Sequence, residues 1–313
     1  MAGLKVLDTA PPTRLATLVA DFLASKRAAG NSPRTLAIYS YPLERVFLSF
    51  CAAQDVSAPD QVTQRVLDRL STQLLEEGGA RGQLSKASVS TYLRHINLFL
   101  RWAQLEGELP SAVKAQRPKL GRRILDVLSR EEIQSLEDTA DNERDKLIIR
   151  LLADTGIRLN ELLSLRTGDL QRHGKNVYLR VQGKGELERL VPIPGLHRRL
   201  ERFIERARPK DVLSDRLFVS RRRRGGDDYQ PLTKSGVEQM LHVVGERAGI
   251  RKRVYPHLFR HSYATWSLRR GMNPLQLMQI LGHTSLDMIT SVYSHLVPSD
   301  AYEAMVKLLQ PED

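Results

Sequence analysis

The sequence predicts a mainly α protein with a small β-sheet, divided into an N-terminal helical bundle and a C-terminal α+β domain. Three observations carry this expectation. Four amphipathic helical stretches follow one another before residue 108, with little strand signal between them. The stretch LPSAVKAQRPKLGRR, Leu109 to Arg123, then loses the large apolar residues and gains Pro, Lys and Arg, as a basic linker would. Beyond it, helical patterns surround one hairpin signal, NVYLRVQGKGELERLVPIP. The domains expected are 1–108, a linker over 109–125, and 126–313.

In the first domain, Leu15, Leu18, Val19, Phe22 and Leu23 recur at helical spacing and the pattern stops at Gly30. Asn31 and Ser32 before Pro33 start a second helix that runs through Cys51. A third covers Val62 to Glu77 and ends at Gly78-Gly79; a fourth runs from Lys86 to about Glu106 with Ser85 as its cap. The second domain opens on a capping box, Ser129 to Glu132. The apolar helix KLIIRLLADTG follows and ends at Gly156, and a new helix begins with Arg158 at its mouth. Lys184 falls between two glycines near the hairpin tip. Then come a helix over Leu196 to Ala207, a strand LFVS, an arginine run Arg221 to Arg224 that reads as an exposed mobile loop, and helices from Thr233 onward.

Composition narrows the function. Lys and Arg total 48 against 36 acids, a net charge of +12 over 313 residues, which points to a polyanionic partner, usually nucleic acid. The single cysteine, Cys51, lies in an apolar helical stretch, allows no intramolecular disulfide and reads as a small buried hydrophobe. No run is long and apolar enough for a membrane span or a signal peptide, so no membrane is expected and the expected compartment is a reducing cytoplasm.

The chemistry concentrates in Tyr255 to Tyr293. His257 and Arg260, three apart, share a helix face. That pairing suits a phosphate better than a metal, because a guanidinium grips oxyanions and ligates no metal. Gly282 ends the next helix and places His283 at its end; Tyr293 adds a hydroxyl that could donate, pack or attack. The sequence offers no carboxylate cluster for Mg²⁺ and no Cys/His zinc spacing. Neither a metal nor any other cofactor is expected.

These boxes, in this order, resemble the tyrosine recombinases of the phage-integrase and Xer superfamily. They are TGIRLNELLSL at Thr155, GKGELERLVPIP at Gly183, HLFRHSYAT at His257, LGHTS at Leu281 and VYSH at Val292. The resemblance implies a SAM-like, core-binding helical domain followed by the family's catalytic domain. It fills six catalytic positions: Arg158, Lys184, His257, Arg260, His283 and the nucleophile Tyr293. Phe259 stands where the family more often has Leu, at a packing position. Glu161 is expected to support the site from behind, or to be a plain surface acid, and His261 to play a structural or supporting part. Arg34, Arg94, Lys119, Arg122 and Arg123 are candidate phosphate contacts. An amphipathic segment over 299–309 would pack on its own domain or, by resemblance, dock on a neighbouring subunit.

The function implied is site-specific recombination of double-stranded DNA through a 3′-phosphotyrosine intermediate. It would require a homo-tetramer on two DNA sites, with or without a paralogous or accessory protein. The layout resembles Xer proteins more than the larger integrases with an added arm-binding domain; integration or excision of a mobile element and resolution of dimers both fit. A recombinase-fold DNA-binding protein without cleavage and a type IB topoisomerase-like relaxing enzyme are the competing readings.

Overall fold

The computed structural model describes residues 12–79, 82–121, 126–183, 187–223 and 228–282. The chain forms two compact units, Met1–Arg122 and Arg123–Asp313. Both are mainly helical, and the second adds small antiparallel sheets.

The first unit holds α1 (Arg14–Ala28), α2 (Pro33–Ser40), α3 (Leu48–Ala53), α4 (Gln64–Glu76) and α5 (Lys86–Leu105). Thr13, Ser32, Thr63 and Ser85 each accept a backbone N–H of the following first turn, so these starts are locally encoded. The rings of Phe22 and Phe47 lie 5.7 and 5.8 Å from that of Phe99 at the centre of the core. Cys51 is buried there too. The second predicted helix differs from expectation: Tyr41–Phe47 is a π-helical segment between α2 and α3, and the helical run reaches Ala53. Pro42 explains the widening. It has no N–H, and in a regular α-helix its ring would collide with the carbonyl of Ile38. Leu48 accordingly donates to the carbonyl of Leu43, five residues back.

The second unit begins with α6 (Arg130–Thr139) and α7 (Glu143–Thr155). The capping box closes α6: Ser129 Oγ accepts from the Glu132 N–H at 3.1 Å, and the Glu132 carboxylate accepts from the Ser129 N–H at 2.7 Å. Leu147, Ile148, Ile149, Leu151 and Leu152 of α7 are all fully buried, which makes it the central helix of this core. Each such side chain contributes about 1.5–3 kcal/mol of burial. Then come α8 (Leu159–Ser164), the strands β1 (Leu170–His173), β2 (Asn176–Gln182) and β3 (Glu188–Pro192), and α9 (His197–Arg202) with a π-helical end, Phe203–Ala207. The remaining elements are β4 (Val219–Arg223), β5 (Tyr229–Pro231), α10 (Lys234–Arg247), α11 (Pro256–Arg269) and α12 (Pro274–Leu281).

Two strands were not expected. β1 extends the hairpin to a three-stranded antiparallel sheet in the order β1-β2-β3. β5 pairs with β4, so Arg221 to Arg223 lie in a strand and not in a loop; the ladder to β5 satisfies backbone groups a free loop would leave to water. Arg224 lies outside the described residues.

Candidate active site

The described part of the site is assembled from three chain segments: the α7–α8 corner, strand β3, and α11 with the end of α12. Gly156 caps α7 in the left-handed conformation, φ 61°, and turns the chain so that Arg158 becomes the N-cap of α8. Glu161, in the first turn of α8, reaches back to the Arg158 N–H at 2.7 Å and binds the Arg158 guanidinium at 2.8 Å. Glu161 is only 4% exposed, so it is not a surface acid.

A second cation explains how a buried carboxylate is tolerated. Arg189 on β3 grips both oxygens of Glu161, Nη1 at 3.0 Å and Nη2 at 2.8 Å, and its Nε donates to the Ile280 carbonyl at 2.6 Å. Burial raises the Glu161 pKa, but hydrogen bonds from Arg189 and from the Arg158 backbone and side chain, with the charge of Arg189, outweigh it and hold the carboxyl below its ordinary range. The sequence reading missed Arg189. A signal existed: Arg189 and Val191 share one face of β3 and Val191 is fully buried, so the arginine points inward and must find a partner.

Arg260 lies one turn into α11, whose entry Pro256 fixes, and is 2% exposed. Its Nη1 donates to the Gly156 carbonyl at 2.6 Å and its Nη2 to the Leu281 carbonyl at 2.7 Å. Arg158 reaches the same place, with Nη1 3.4 Å from the Leu281 carbonyl and Nη2 3.0 Å from that of Gly282. Two guanidiniums far apart in sequence thus converge on the C-terminus of α12, where the helix dipole is negative. Burial, and then the charge of Arg158, push the Arg260 pKa down to about 9.

His257 sits one residue into α11 and is exposed. Loss of water on its protein side, then the charges of Arg260, Lys234 and Arg158, lower its pKa below 6.5 against a weaker opposite pull from Glu238. His261 is half-buried on the same helix, and Phe259 packs wholly in the core. Among the described residues the structure therefore brings together Arg158, Glu161, Arg189 and Arg260, with His257 close enough to feel their charge. Lys184, His283 and Tyr293 lie outside the described residues, as do Arg122, Arg123 and the segment 299–309. Arg34, Arg94 and Lys119 are exposed on the first unit.

Among the described residues, two guanidiniums, Arg158 and Arg189, share the Glu161 carboxylate and a third, Arg260, binds only backbone carbonyls, so three positive charges meet one negative charge between the mouth of α8 and the end of α12. Arg158 is 35% exposed and makes three hydrogen bonds, which leaves donor capacity facing outward. Such a site can neutralise an oxyanion with donors fixed in advance, which is what transfer at phosphorus requires.

Known proteins resemble this chain in sequence and in fold. A family model described as the phage integrase family matches residues 126–299. A tyrosine recombinase of Thermosipho africanus (strain TCF52B) is 32% identical over 93% of this chain and 98% of its own. Tyrosine recombinase XerA of Saccharolobus solfataricus is 30% identical over 97% of this chain and 96% of its own. In fold, the structure is similar to the Tn1549 transposon integrase solved with transposon right-end DNA, with a TM-score of 0.72 at 18% identity over 95% of this chain and 100% of that one.

Proposed function

This chain belongs to the phage integrase family of tyrosine recombinases, and on that footing we propose that it cuts and rejoins duplex DNA at a specific site through a 3′-phosphotyrosine at Tyr293. The observation that carries the reading is the meeting of Arg158 and Arg260 at the Leu281 carbonyl, directly before Gly282 and His283.

A phosphodiester resists attack because its anionic oxygens repel a nucleophile, and further charge develops as the fifth bond forms. Arg158 and Arg260 take the two non-bridging oxygens. Tyrosine has an ordinary pKa of about 10, so Tyr293 needs a base near neutral pH. His257 accepts the phenolic proton, and its lowered pKa keeps it neutral and ready to do so. His283 donates to a phosphate oxygen. Lys184 protonates the leaving 5′ oxygen as its bond to phosphorus breaks and the tyrosine–phosphorus bond forms. Attack by another strand's 5′-hydroxyl reverses each transfer, so joining conserves bond energy and needs no ATP. Exchange between duplexes requires four such active sites, hence four copies on two DNA sites in the cytoplasm, with or without an accessory protein. The biological setting is integration or excision of a mobile element, or Xer-like dimer resolution.

The test begins with selection of bound sequences from random duplexes. Two labelled duplexes of different length carrying the selected site are then incubated with the full chain in EDTA. Hybrid-length products support recombination. Relaxation of supercoiled DNA without exchanged ends would make it a topoisomerase, and binding alone would make it an inert DNA-binding protein.

A further inference from the structure

Arg189 is the cation to which none of the family boxes gives a role, and its surroundings are specific. It is 13% exposed and binds the same buried carboxylate that binds Arg158. It also holds the last turn of α12 through the Ile280 carbonyl. A side chain on Gly282, which has φ 64°, would lie 3.0–3.2 Å from three atoms of the Arg189 guanidinium, so this turn passes directly over it. One guanidinium thus joins β3, α8 and the residues leading to His283.

The electrostatic consequence follows from counting charges. If Glu161 were paired with Arg158 alone, the carboxylate would cancel the charge meant for the phosphate, and the two would sum to zero. With Arg189 taking both oxygens in a bidentate grip, the trio keeps one net positive charge. Glu161 can then anchor Arg158 through a single Nη while the group remains cationic. Resting on the reading of Arg158 as a phosphate-binding group, we infer that Arg189 is a positioning residue for the reaction, which absorbs the Glu161 charge and clamps the α12 turn so that Arg158 meets the phosphate as an effective cation.

The experiment uses the full chain, single-turnover cleavage, and nicked duplexes of the sequence selected from random DNA. The scissile linkage is either the natural phosphodiester or a methylphosphonate, in which a methyl group replaces one charged oxygen. Arg189→Gln should slow cleavage of the natural linkage about 10–100-fold, somewhat less than loss of a direct oxyanion donor. Its deficit should shrink at least several-fold on the neutral methylphosphonate, because there is less charge to neutralise. Arg189→Lys, which restores the charge, should recover much of the rate. Duplex affinity should stay within about threefold of the parent, since phosphate contacts elsewhere dominate binding.

A purely structural role gives another pattern: equal losses on both linkages and no rescue by lysine. That pattern overturns the inference, as does an unimpaired Arg189→Gln. Arg158→Ala separates the two levels of the argument. If its own deficit persists undiminished on the methylphosphonate, Arg158 is not the phosphate cation, and the inference falls with that reading. If its deficit shrinks while that of Arg189→Gln does not, the inference alone falls.

Discussion

Replacing Gly156 with alanine should destabilise the second unit by about 2–5 kcal/mol, and the figure can be built from two separate terms. Gly156 has φ 61°, where a Cβ meets its own backbone at a cost of about 1–2 kcal/mol. The added Cβ would also lie 2.6 Å from Tyr263 Cδ1 and 2.8 Å from Leu281 Cδ2, contacts that force side chains to shift. Overpacking of this kind costs about 1–3 kcal/mol. Gly174 supplies the internal control: it has the same φ of 61° in the same unit, and an added Cβ there would meet nothing within 4 Å. Gly174→Ala should therefore lose only the backbone term, about 1–2 kcal/mol.

Urea unfolding in a Trp102→Phe background, in which Trp266 is the remaining tryptophan, reads the second unit alone. With a slope of about 2 kcal/mol per molar, Gly156→Ala should lower the midpoint by about 1 M or more and Gly174→Ala by about half as much. Gly156→Ala should also slow cleavage, because the displaced carbonyl is the one that holds Arg260. Equal losses for the two glycines, within about 0.5 kcal/mol, would refute the packing half of this reasoning.

Three further outcomes follow from the same geometry. Glu161→Ala leaves Arg158 and Arg189 without their shared carboxylate and should cost about 3–5 kcal/mol in equilibrium unfolding. Because the folded Glu161 pKa is depressed below 4.5, its stabilisation is full above that value and is lost as pH falls through the folded pKa; Glu161→Gln should flatten this acid limb. Cleavage needs neutral His257, so the acid limb of the single-turnover rate should have its midpoint below pH 6.5, and Lys234→Ala, by removing a neighbouring positive charge, should move it upward. Cys51 is buried and its thiol is pushed up to about 12, so iodoacetamide should leave it unmodified in the folded chain and alkylate it in denaturant.

Much of the fold was legible because its signals are local. Helix caps such as Ser32, Ser85 and Ser129 sit beside the turns they close, and the burial of α7 is written in two apolar triplets, Leu147-Ile148-Ile149 and Leu151-Leu152-Ala153, on either side of Arg150. The π-helical segment was not legible, since Pro42 disrupts a helix without specifying whether it ends or widens. Strands β1 and β5 are short, polar and half-exposed; pairing with a neighbour defines them, not their own alternation. At the site, motif order singled out Arg158 and Arg260, while Glu161 stood between two readings until its burial was seen. Arg189 stayed hidden because, although it lies inside the box GKGELERLVPIP, only Lys184 was given a role there. Its meaning comes from tertiary contacts with residues 28 and 91 positions away.

The central claim is that this chain breaks DNA through Tyr293, and covalent trapping tests it most directly. The full chain and Tyr293→Phe would each be incubated in EDTA with a nicked duplex carrying the selected site, then denatured and resolved by size. The account predicts a denaturant-resistant protein–DNA adduct with the parent chain and none with Tyr293→Phe. An adduct that survives the substitution, or one that forms only when Mg²⁺ is supplied, would contradict it.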